Sequence, residues 1–427
     1  MQQILGPCDN AGPFGSHCFL RQVPVISLSR YAALLSQAEL RTVIAASMLG
    51  RLPIGITGLA ILLLAQSASG SFARAGATAG CYVAGLAAFA PLLGRLIDRY
   101  GPRPTLFACT LAFPSALVTL VAAYELHAPL WLALAIAAAA GASFPPITVC
   151  MRTFFKQRLQ DEAMLAAAYS VESVVIETIF IIGPLLVAVC VAAASPAAAV
   201  ILAAGCALVG TLLFLRSQAL GQWKIERSPK GSLGEPRLAA SLFGPLTEPG
   251  FVPLLCVVLC YASAFGLVEI GTTAYAAEIG RSALAGVLLG IMSVGSVAGG
   301  LVYGSRSWHL PLGRQFSLTL ILMGLGVAPL MLLSPPWAFA LWCVFAGIVM
   351  APALIMQSML VAKIAPAEHS TEAFTWSATG LLAGVGLGLA AGGTILEYAH
   401  SSAVFAAAAA MSVAGGMLAA KLVRVQR

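Results

Sequence analysis

Long uninterrupted apolar runs occur throughout this sequence, and they restrict its fold more than any other feature. The stretches from Ile54 to Leu64 and from Leu132 to Ala140 are two examples. A membrane-spanning β-strand would alternate apolar and polar residues, whereas a helix satisfies its own backbone hydrogen bonds in lipid without alternation. Because 60% of the residues are hydrophobic and only 9% are charged, we predict an all-α integral membrane protein.

The apolar runs divide the chain into twelve predicted membrane helices. A spanning helix needs about 20 apolar residues, and the chain has room for twelve with short loops between them. The predicted spans are 42–66, 75–97, 104–124, 128–151, 164–192, 196–215, 250–276, 283–304, 316–333, 336–361, 372–395 and 401–420. The predicted domains are an N-terminal tail 1–40, a six-helix bundle 41–216, a polar linker 217–249, a second six-helix bundle 250–421 and a short tail 422–427.

The distribution of lysine and arginine predicts the orientation of these helices. With the N-terminus inside, all but three of the 23 basic residues lie on the inner side, the exceptions being Arg51, Arg74 and Arg281. Loops rich in lysine and arginine stay in the cytoplasm and meet anionic lipid there. We therefore expect a multi-pass protein of the cell inner (plasma) membrane, with the linker and both termini cytoplasmic. The N-terminal tail lacks the apolar region of a signal peptide, and we expect it to be poorly ordered.

A short polar stretch between the second and third predicted spans carries four of the chain's few charges. It reads Gly94-Arg-Leu-Ile-Asp98-Arg99-Tyr-Gly101-Pro-Arg103. This order resembles the loop signature of the major facilitator superfamily (MFS) of membrane transporters. The resemblance implies the MFS fold of 12 transmembrane helices in two six-helix halves, with both termini cytoplasmic.

An internal repeat agrees with two such halves. At an offset of 206 residues, Gly94 matches Gly300, and Pro146 matches Pro352. The second copy of the loop, Gly300-Leu-Val-Tyr-Gly304-Ser-Arg306, keeps glycine and arginine but has no acid at the Asp98 position. A degenerate second copy is what the resemblance implies.

The resemblance also implies that the loop latches the two halves together when the cytoplasmic side is closed. The aspartate then lies near the start of the eleventh helix, which Ser370-Thr371-Glu372 opens here, and a basic residue lies at the end of the fourth. Alternatively, these charges only anchor loops and determine topology. The predicted inner gate consists of Gly94, Asp98, Arg99, Gly101, Arg103, Arg152 and Glu372.

Glycines recur at every fourth position of the eleventh predicted span, from Gly380 to Gly392. They leave one helix face without side chains and allow close backbone approach. The resemblance places helices two and eleven against each other across the boundary between the halves. The glycines therefore mark either a sliding interface or static packing.

Four ionisable residues lie within predicted spans, namely Arg51, Glu172, Glu177 and Glu269. An ionised side chain at mid-bilayer costs at least about 2.5 kcal/mol, so such residues are functional candidates. Arg51 and Glu172 lie at similar depth and are predicted to pair, while Glu177 lies deeper and about 140° around the helix from Glu172. Either glutamate could exchange a proton, or the pair could be structural. For Glu269, a gating role, pairing with Arg281 and substrate contact all remain open.

Uncharged polar and aromatic residues complete the predicted site. The resemblance places helices one, four, seven and ten around a central cavity, although ordinary helix packing is the alternative for each residue. The cavity candidates are Thr57, Tyr261, Thr273, Gln357 and Trp376. The sequence shows no metal-ligand spacing, no phosphate-binding loop and no catalytic triad, so we expect no metal, no cofactor and no enzymatic activity.

These observations predict a secondary active transporter that moves a small molecule by alternating access, with proton-coupled efflux as the favoured direction. The similarity to drug:proton antiporters is incomplete, because the fourth-helix arginine of those proteins corresponds here to Ala137. The alternatives are an importer or facilitator of a sugar or metabolite, and a non-transporting membrane sensor on the same fold. The expected partners are a small-molecule substrate, protons and membrane lipid, with no nucleic acid, and the expected state is a monomer.

Overall fold

Sixteen α-helices make up almost all of the part of the chain that the computed structural model describes, which is residues 28–217, 220, 223, 244–281, 284–332 and 335–425. In chain order, α1 to α16 are Leu28–Ser36, Ala38–Arg51, Pro53–Ser69, Phe72–Tyr100, Pro102–Glu125, Leu130–Ala142, Ile147–Arg158, Glu162–Ala193, Pro196–Leu215, Phe251–Glu278, Leu284–Ser305, Leu312–Val327, Pro336–Gly347, Met350–Ile364, Ser370–Leu396 and Ser401–Val425. Short 3-10 turns cover Gly244–Thr247, Ala328–Met331 and Ala367–His369. Most of the predicted linker lies outside the described residues.

Among these described residues, 12 helical segments are long and apolar enough to cross a membrane, which confirms the predicted all-α membrane fold. Spans one to twelve are α2 with α3, α4, α5, α6 with α7, α8, α9, α10, α11, α12 with the turn after it, α13 with α14, α15, and α16. We call the end of the molecule that carries Asp98 the inner side, in keeping with the predicted orientation.

Three of the spans are interrupted close to a proline. Span one breaks between Arg51 and Pro53, and span four breaks over residues 143–146 before α7 begins. Span ten breaks between Gly347 and Met350, two residues before Pro352. Proline removes a backbone donor and crowds the preceding turn, which accounts for an interruption near each of these prolines.

The apolar cores show that the halves are joined on the inner side. One core, which we call the shared inner core, combines Leu106 and Phe155 of the first half with Val257 and Phe374 of the second. Toward the outer side, two further cores each belong to one half: one surrounds Phe113, and the other lies in the second half. The structure is therefore closed on the inner side.

The N-terminal region differs from the prediction. Residues 28–36 form α1, and the helix of span one begins at Ala38, so the prediction of a poorly ordered tail to residue 40 is wrong for these residues. Leu34 and Leu40 are fully buried in the shared inner core. The tail up to residue 27 lies outside the described residues. The sequence signal was weak because only one face of a nine-residue helix is buried.

The regularly spaced glycines of span eleven pack within one half rather than between the halves. A Cβ at Gly384 or Gly388 would lie 2.7 or 2.1 Å from a backbone carbonyl oxygen of span seven, and one at Gly392 would meet Ile270 of the same span. Two other glycines do contact the opposite half: Gly94 approaches span eleven and Gly304 approaches span five. The contacts of the span-eleven glycines therefore favour static packing over a sliding interface.

Candidate functional site

Asp98 binds the first residues of span eleven across the boundary between the halves. Its Oδ1 accepts a hydrogen bond from the backbone N–H of Thr371 at 2.9 Å, and its Oδ2 accepts one from Glu372 at 2.8 Å. The first N–H groups of a helix lack partners within the helix and carry positive partial charge. A carboxylate at this position satisfies two of them and interacts favourably with the helix dipole.

A salt bridge reinforces this contact. Arg95 Nη2 donates to Glu372 Oε1 at 2.6 Å, and Arg95 Nε donates to Oε2 at 3.1 Å, while Glu372 is fully buried. Gly94 permits the approach, because a Cβ there would lie 2.5 Å from Thr375 Oγ1. The end of the linker also packs here, since a Cβ at Gly244 would meet the carboxylate of Glu372.

The basic residue that reaches the second half from span four is Lys156, not the predicted Arg152. Lys156 Nζ donates to the carbonyl of Ala365 at 2.9 Å and to Ser370 Oγ at 2.8 Å. Arg152 instead donates to Glu172 of its own half. The reason is that α7 continues to Arg158, about two turns beyond the predicted end of span four at residue 151, so Arg152 lies inside the helix.

The remaining gate residues form the loop itself. Gly101 has φ +84°, a backbone conformation that favours glycine, and it separates α4 from α5. Arg99 and Arg103 are exposed, and the Arg99 guanidinium lies 5.3 Å from the ring centre of Tyr100. Their exposure suits contact with lipid phosphates.

Three charged residues, Arg51, Arg152 and Glu172, form what we call the buried triad, in which Arg51 and Glu172 are buried and the Arg152 side chain is 18% exposed. Arg152 Nε donates to Glu172 Oε1 at 2.9 Å. Arg51 and Glu172 both line a cavity of about 10 Å³, which is close to the space that one water molecule needs. Among the described residues, Arg51 Nε, Arg51 Nη2 and Glu172 Oε2 are buried without hydrogen-bond partners. Arg51 and Glu172, which were predicted to pair, thus share a cavity, but the hydrogen bond to Glu172 comes from Arg152.

Glu177 lies deeper in span five and contacts the other half. Ser296 Oγ of span eight donates to Glu177 Oε1 at 2.8 Å. Among the described residues, Glu177 forms no ion pair, in contrast to Glu172. A hydroxyl is thus its partner at the interface between the halves.

Glu269 is exposed, and the described residues give no ion pair between it and Arg281. It precedes the outer end of span seven by nine residues, or about 13 Å of helix. Ile270 packs toward span eleven and Gly271 toward span twelve. Since successive helix residues are about 100° apart, Glu269 projects from a third face.

The cavity candidates divide into a connected group and separate residues. Tyr261 donates to Gln357 Oε1, and Gln357 Nε2 donates to Ser377 Oγ at 2.5 Å, which links spans seven, ten and eleven. Trp376 is half-buried, and its Nε1 has no hydrogen-bond partner in the part of the chain that the structure describes. Thr57 is fully buried in span one, while Thr273 is exposed and donates to the carbonyl of Glu269.

The sequence prediction missed Arg95, Lys156 and Ser377. Arg95 stands inside the quoted loop motif, one turn before Asp98, so helical spacing was a usable signal for it. Predicting the role of Lys156 would have required knowing where span four ends. Ser377 had no signal, because one serine in an apolar helix is ordinary.

Arg95→Ala is expected to destabilise the folded protein by about 1–3 kcal/mol, because the buried Glu372 carboxylate loses its charged donor. The matched control is Arg99→Ala, at an exposed arginine in the same loop, for which we expect a change within about 0.5 kcal/mol. Unfolding in mixed detergent micelles measures both variants. Equal stability of Arg95→Ala and the parent protein would contradict the assigned salt bridge.

Comparison with known proteins comes from a family model and from solved structures. The family model described as Major Facilitator Superfamily matches residues 43–341. A bacterial homologue of the iron transporter ferroportin, solved in an outward-facing state, is similar with a TM-score of 0.72 and 14% identity, covering 90% of this chain and 99% of that one.

Two further solved structures have the same architecture. The human organic anion transporter MFSD10 (TETRAN) gives a TM-score of 0.67 at 18% identity, covering 89% of this chain and 99% of that one. A variant of the E. coli fucose:proton symporter FucP gives 0.67 at 12% identity, covering 90% and 98%. A search of curated protein sequences returns no match.

Proposed function

The chain belongs to the Major Facilitator Superfamily, and from that membership we propose that it is a secondary active transporter that moves a small molecule by alternating access. The observation that carries this proposal is the inner gate, where polar contacts of Asp98, Arg95 and Lys156 join the two halves beside the shared inner core. Each half also has an outer core of its own, so the inner contacts can separate without breaking those two cores.

We infer that the described conformation is outward-facing. The shared inner core and the polar gate both close the inner side, while the outer cores are separate. The similarity to a ferroportin homologue solved in an outward-facing state supports this assignment. In the opposite state, the Asp98 and Lys156 contacts would break and the buried triad would meet cytoplasmic water.

Proton-coupled efflux is the proposed direction, with Glu177 as the proton-carrying residue. Glu172 is engaged by Arg152, whereas Glu177 bonds a hydroxyl of the other half and has no cation beside it among the described residues. Gain or loss of a proton at Glu177 changes a contact between the halves, which is how protonation can bias alternating access. The uncharged network of Tyr261, Gln357 and Ser377 suits a neutral or amphipathic substrate.

Uptake of a sugar or metabolite is the second candidate function. The same network offers amide and hydroxyl groups that can bind substrate hydroxyls, and one similar structure is a fucose:proton symporter. We further propose a monomer in the cell inner membrane, with both termini cytoplasmic and lipid phosphates bound at Arg99 and Arg103. No nucleic-acid partner and no cofactor form part of this proposal.

Transport by purified protein in liposomes tests these alternatives. Ethidium, fucose and citrate serve as amphipathic, sugar and carboxylate probes, with a pH gradient imposed in either direction. Efflux predicts ethidium movement opposite to protons, and symport predicts fucose movement with them. If no probe and no proton moves faster than in empty liposomes, the non-transporting sensor is favoured.

In the Glu177→Gln variant, we expect the substrate still to move down its own concentration gradient. We expect this movement no longer to depend on the pH gradient, because the glutamine side chain does not bind and release a proton. The matched control is Glu269→Gln, at a second predicted intramembrane acid, whose side chain is exposed. Proton movement is followed with a pH-sensitive dye inside the liposomes. Unchanged proton-coupled flux through Glu177→Gln would exclude Glu177 as the carrier.

A further inference from the structure

The helix α1 contacts the second copy of the loop motif, residues 300–306, at the inner end of span eight. Tyr31 is 7% exposed, and its hydroxyl donates to the carbonyl of Leu301 at 2.7 Å. The hydroxyl also lies 2.9 Å from Ser170 Oγ of span five, and Ser170 donates to Gly300 at 2.7 Å. Tyr31 therefore contacts both halves at one point.

Two neighbouring residues of α1 strengthen this contact. Arg30 donates to Ser307, just beyond the end of span eight, and Leu34 is fully buried in the shared inner core. Ser36, about 140° around the helix from Tyr31, is exposed. One side of α1 is thus bound across the boundary between the halves.

The internal repeat explains why a contact is needed at this point. The offset of 206 residues places Gly304 opposite Asp98, so the second half has no carboxylate at the position equivalent to Asp98. Span five is capped instead by its own Asp161, whose Oδ2 accepts from the N–H of Met164 at 3.0 Å. The latch between spans two and eleven consequently has no counterpart at position 304; spans eight and five are joined through a carboxylate deeper in the bundle, where Ser296 donates to Glu177.

The hydroxyl of Tyr31 occupies the space that a side chain at position 304 would fill. A Cβ added to Gly304 would lie 2.6 Å from the Tyr31 hydroxyl oxygen and 2.6 Å from Ser170 Cβ. Burial raises the pKa of Tyr31, so its hydroxyl stays protonated and donates to the span-eight carbonyl.

We propose that α1 is a detachable clamp that replaces the missing second latch, with Tyr31 as the positioning residue that holds spans five and eight together in the inner-closed state. The clamp rests on the proposed function in one respect, that the inner-closed state alternates with an inner-open one. Opening of the inner side separates Ser170 from Leu301, so Tyr31 must release at least one of them. Release of α1 is then part of each transport cycle.

Amide hydrogen exchange of the full-length protein in lipid nanodiscs tests the clamp without requiring a substrate. The variant is Tyr31→Phe, which removes only the hydroxyl, and the matched control is Ser36→Ala, which removes an exposed hydroxyl from another face of the same helix. For Tyr31→Phe we expect roughly tenfold faster exchange at the amides of Thr371 and Glu372, the factor associated with losing one or two net hydrogen bonds.

Amide exchange at the distant residues Thr371 and Glu372 distinguishes a clamp from a local packing role. A local role would speed exchange only in α1 and at the end of span eight, and that outcome would overturn the proposal. Unchanged exchange everywhere would overturn it as well. Tyr31→Ala is the second variant, and faster exchange at Thr371 with an unchanged unfolding midpoint supports the clamp.

Flux measurements distinguish a failure of the clamp proposal from a failure of the proposed transport function. Faster exchange at Thr371 in a protein that moves no probe would sustain the clamp and count against transport. Normal flux in the parent protein, with no exchange change in either Tyr31 variant, would count against the clamp alone.

Discussion

Replacing Asp98 with asparagine is expected to lower the rate of transport at least tenfold while leaving membrane insertion intact. Asparagine has no negative charge, and its NH₂ group would face one of the two N–H donors at Thr371 and Glu372. Hydrogen bonds to a charged group are worth about 1.5–3 kcal/mol, so the inner-closed population falls by roughly tenfold or more. Flux in liposomes and the amount of protein in the membrane fraction measure the two effects.

The same substitution at another helix cap provides the control. Asp161 also accepts a backbone hydrogen bond at a helix start, but it is exposed and caps span five within its own half. Asp161→Asn should therefore keep transport within about twofold of the parent rate, since surface caps contribute about 1 kcal/mol to stability without joining the halves. Equal transport by Asp98→Asn and the parent would reduce the loop to a topological anchor.

Glu172→Gln is expected to destabilise the folded protein by about 3–5 kcal/mol. The substitution removes the carboxylate of the triad and leaves the buried guanidinium of Arg51 and the partly buried guanidinium of Arg152 without a counter-charge there. Breaking a buried ion pair from one side carries a cost of this size because the remaining charge is desolvated. Unfolding in mixed detergent micelles gives the free-energy change.

A second glutamate in the same helix and a double variant make this experiment specific. Glu177→Gln should change stability by only about 1 kcal/mol, because a hydroxyl hydrogen bond is involved rather than an ion pair. Adding Arg51→Met to Glu172→Gln should recover part of the loss, since one uncompensated charge is removed. If Glu172→Gln is as stable as the parent protein, other groups must compensate the two arginines.

Sequence reasoning located the membrane helices because hydropathy is a local property of about 20 residues. It also located Asp98 and the start of span eleven, since both belong to short polar stretches between apolar runs. Helix ends were harder to predict: span four extends to Arg158 rather than residue 151, because amphipathic helix continues beyond the apolar stretch. Because of that difference, Arg152 belongs to the buried triad and not to the predicted gate.

Contacts between spans could not be derived in the same way. Span eleven presents its glycines to span seven rather than span two, and this choice depends on helix rotation, which periodicity alone does not specify. The predicted pairing of Arg51 with Glu172 differs from the structure in one respect: both line one cavity, but the hydrogen bond to Glu172 comes from Arg152. Equal depth in the membrane does not determine which of two arginines reaches a carboxylate.

By itself, the sequence determined that this protein is a twelve-span helical membrane protein with a charged loop after span two, because composition and spacing act along the chain. The tertiary structure decided which charge meets which partner: Asp98 with span eleven, Arg152 with Glu172, and Tyr31 with the Gly304 position. These contacts join residues more than a hundred positions apart in two of the three cases. They depend on the rotation, tilt and closure of whole helices, which are set by packing and not by any local pattern.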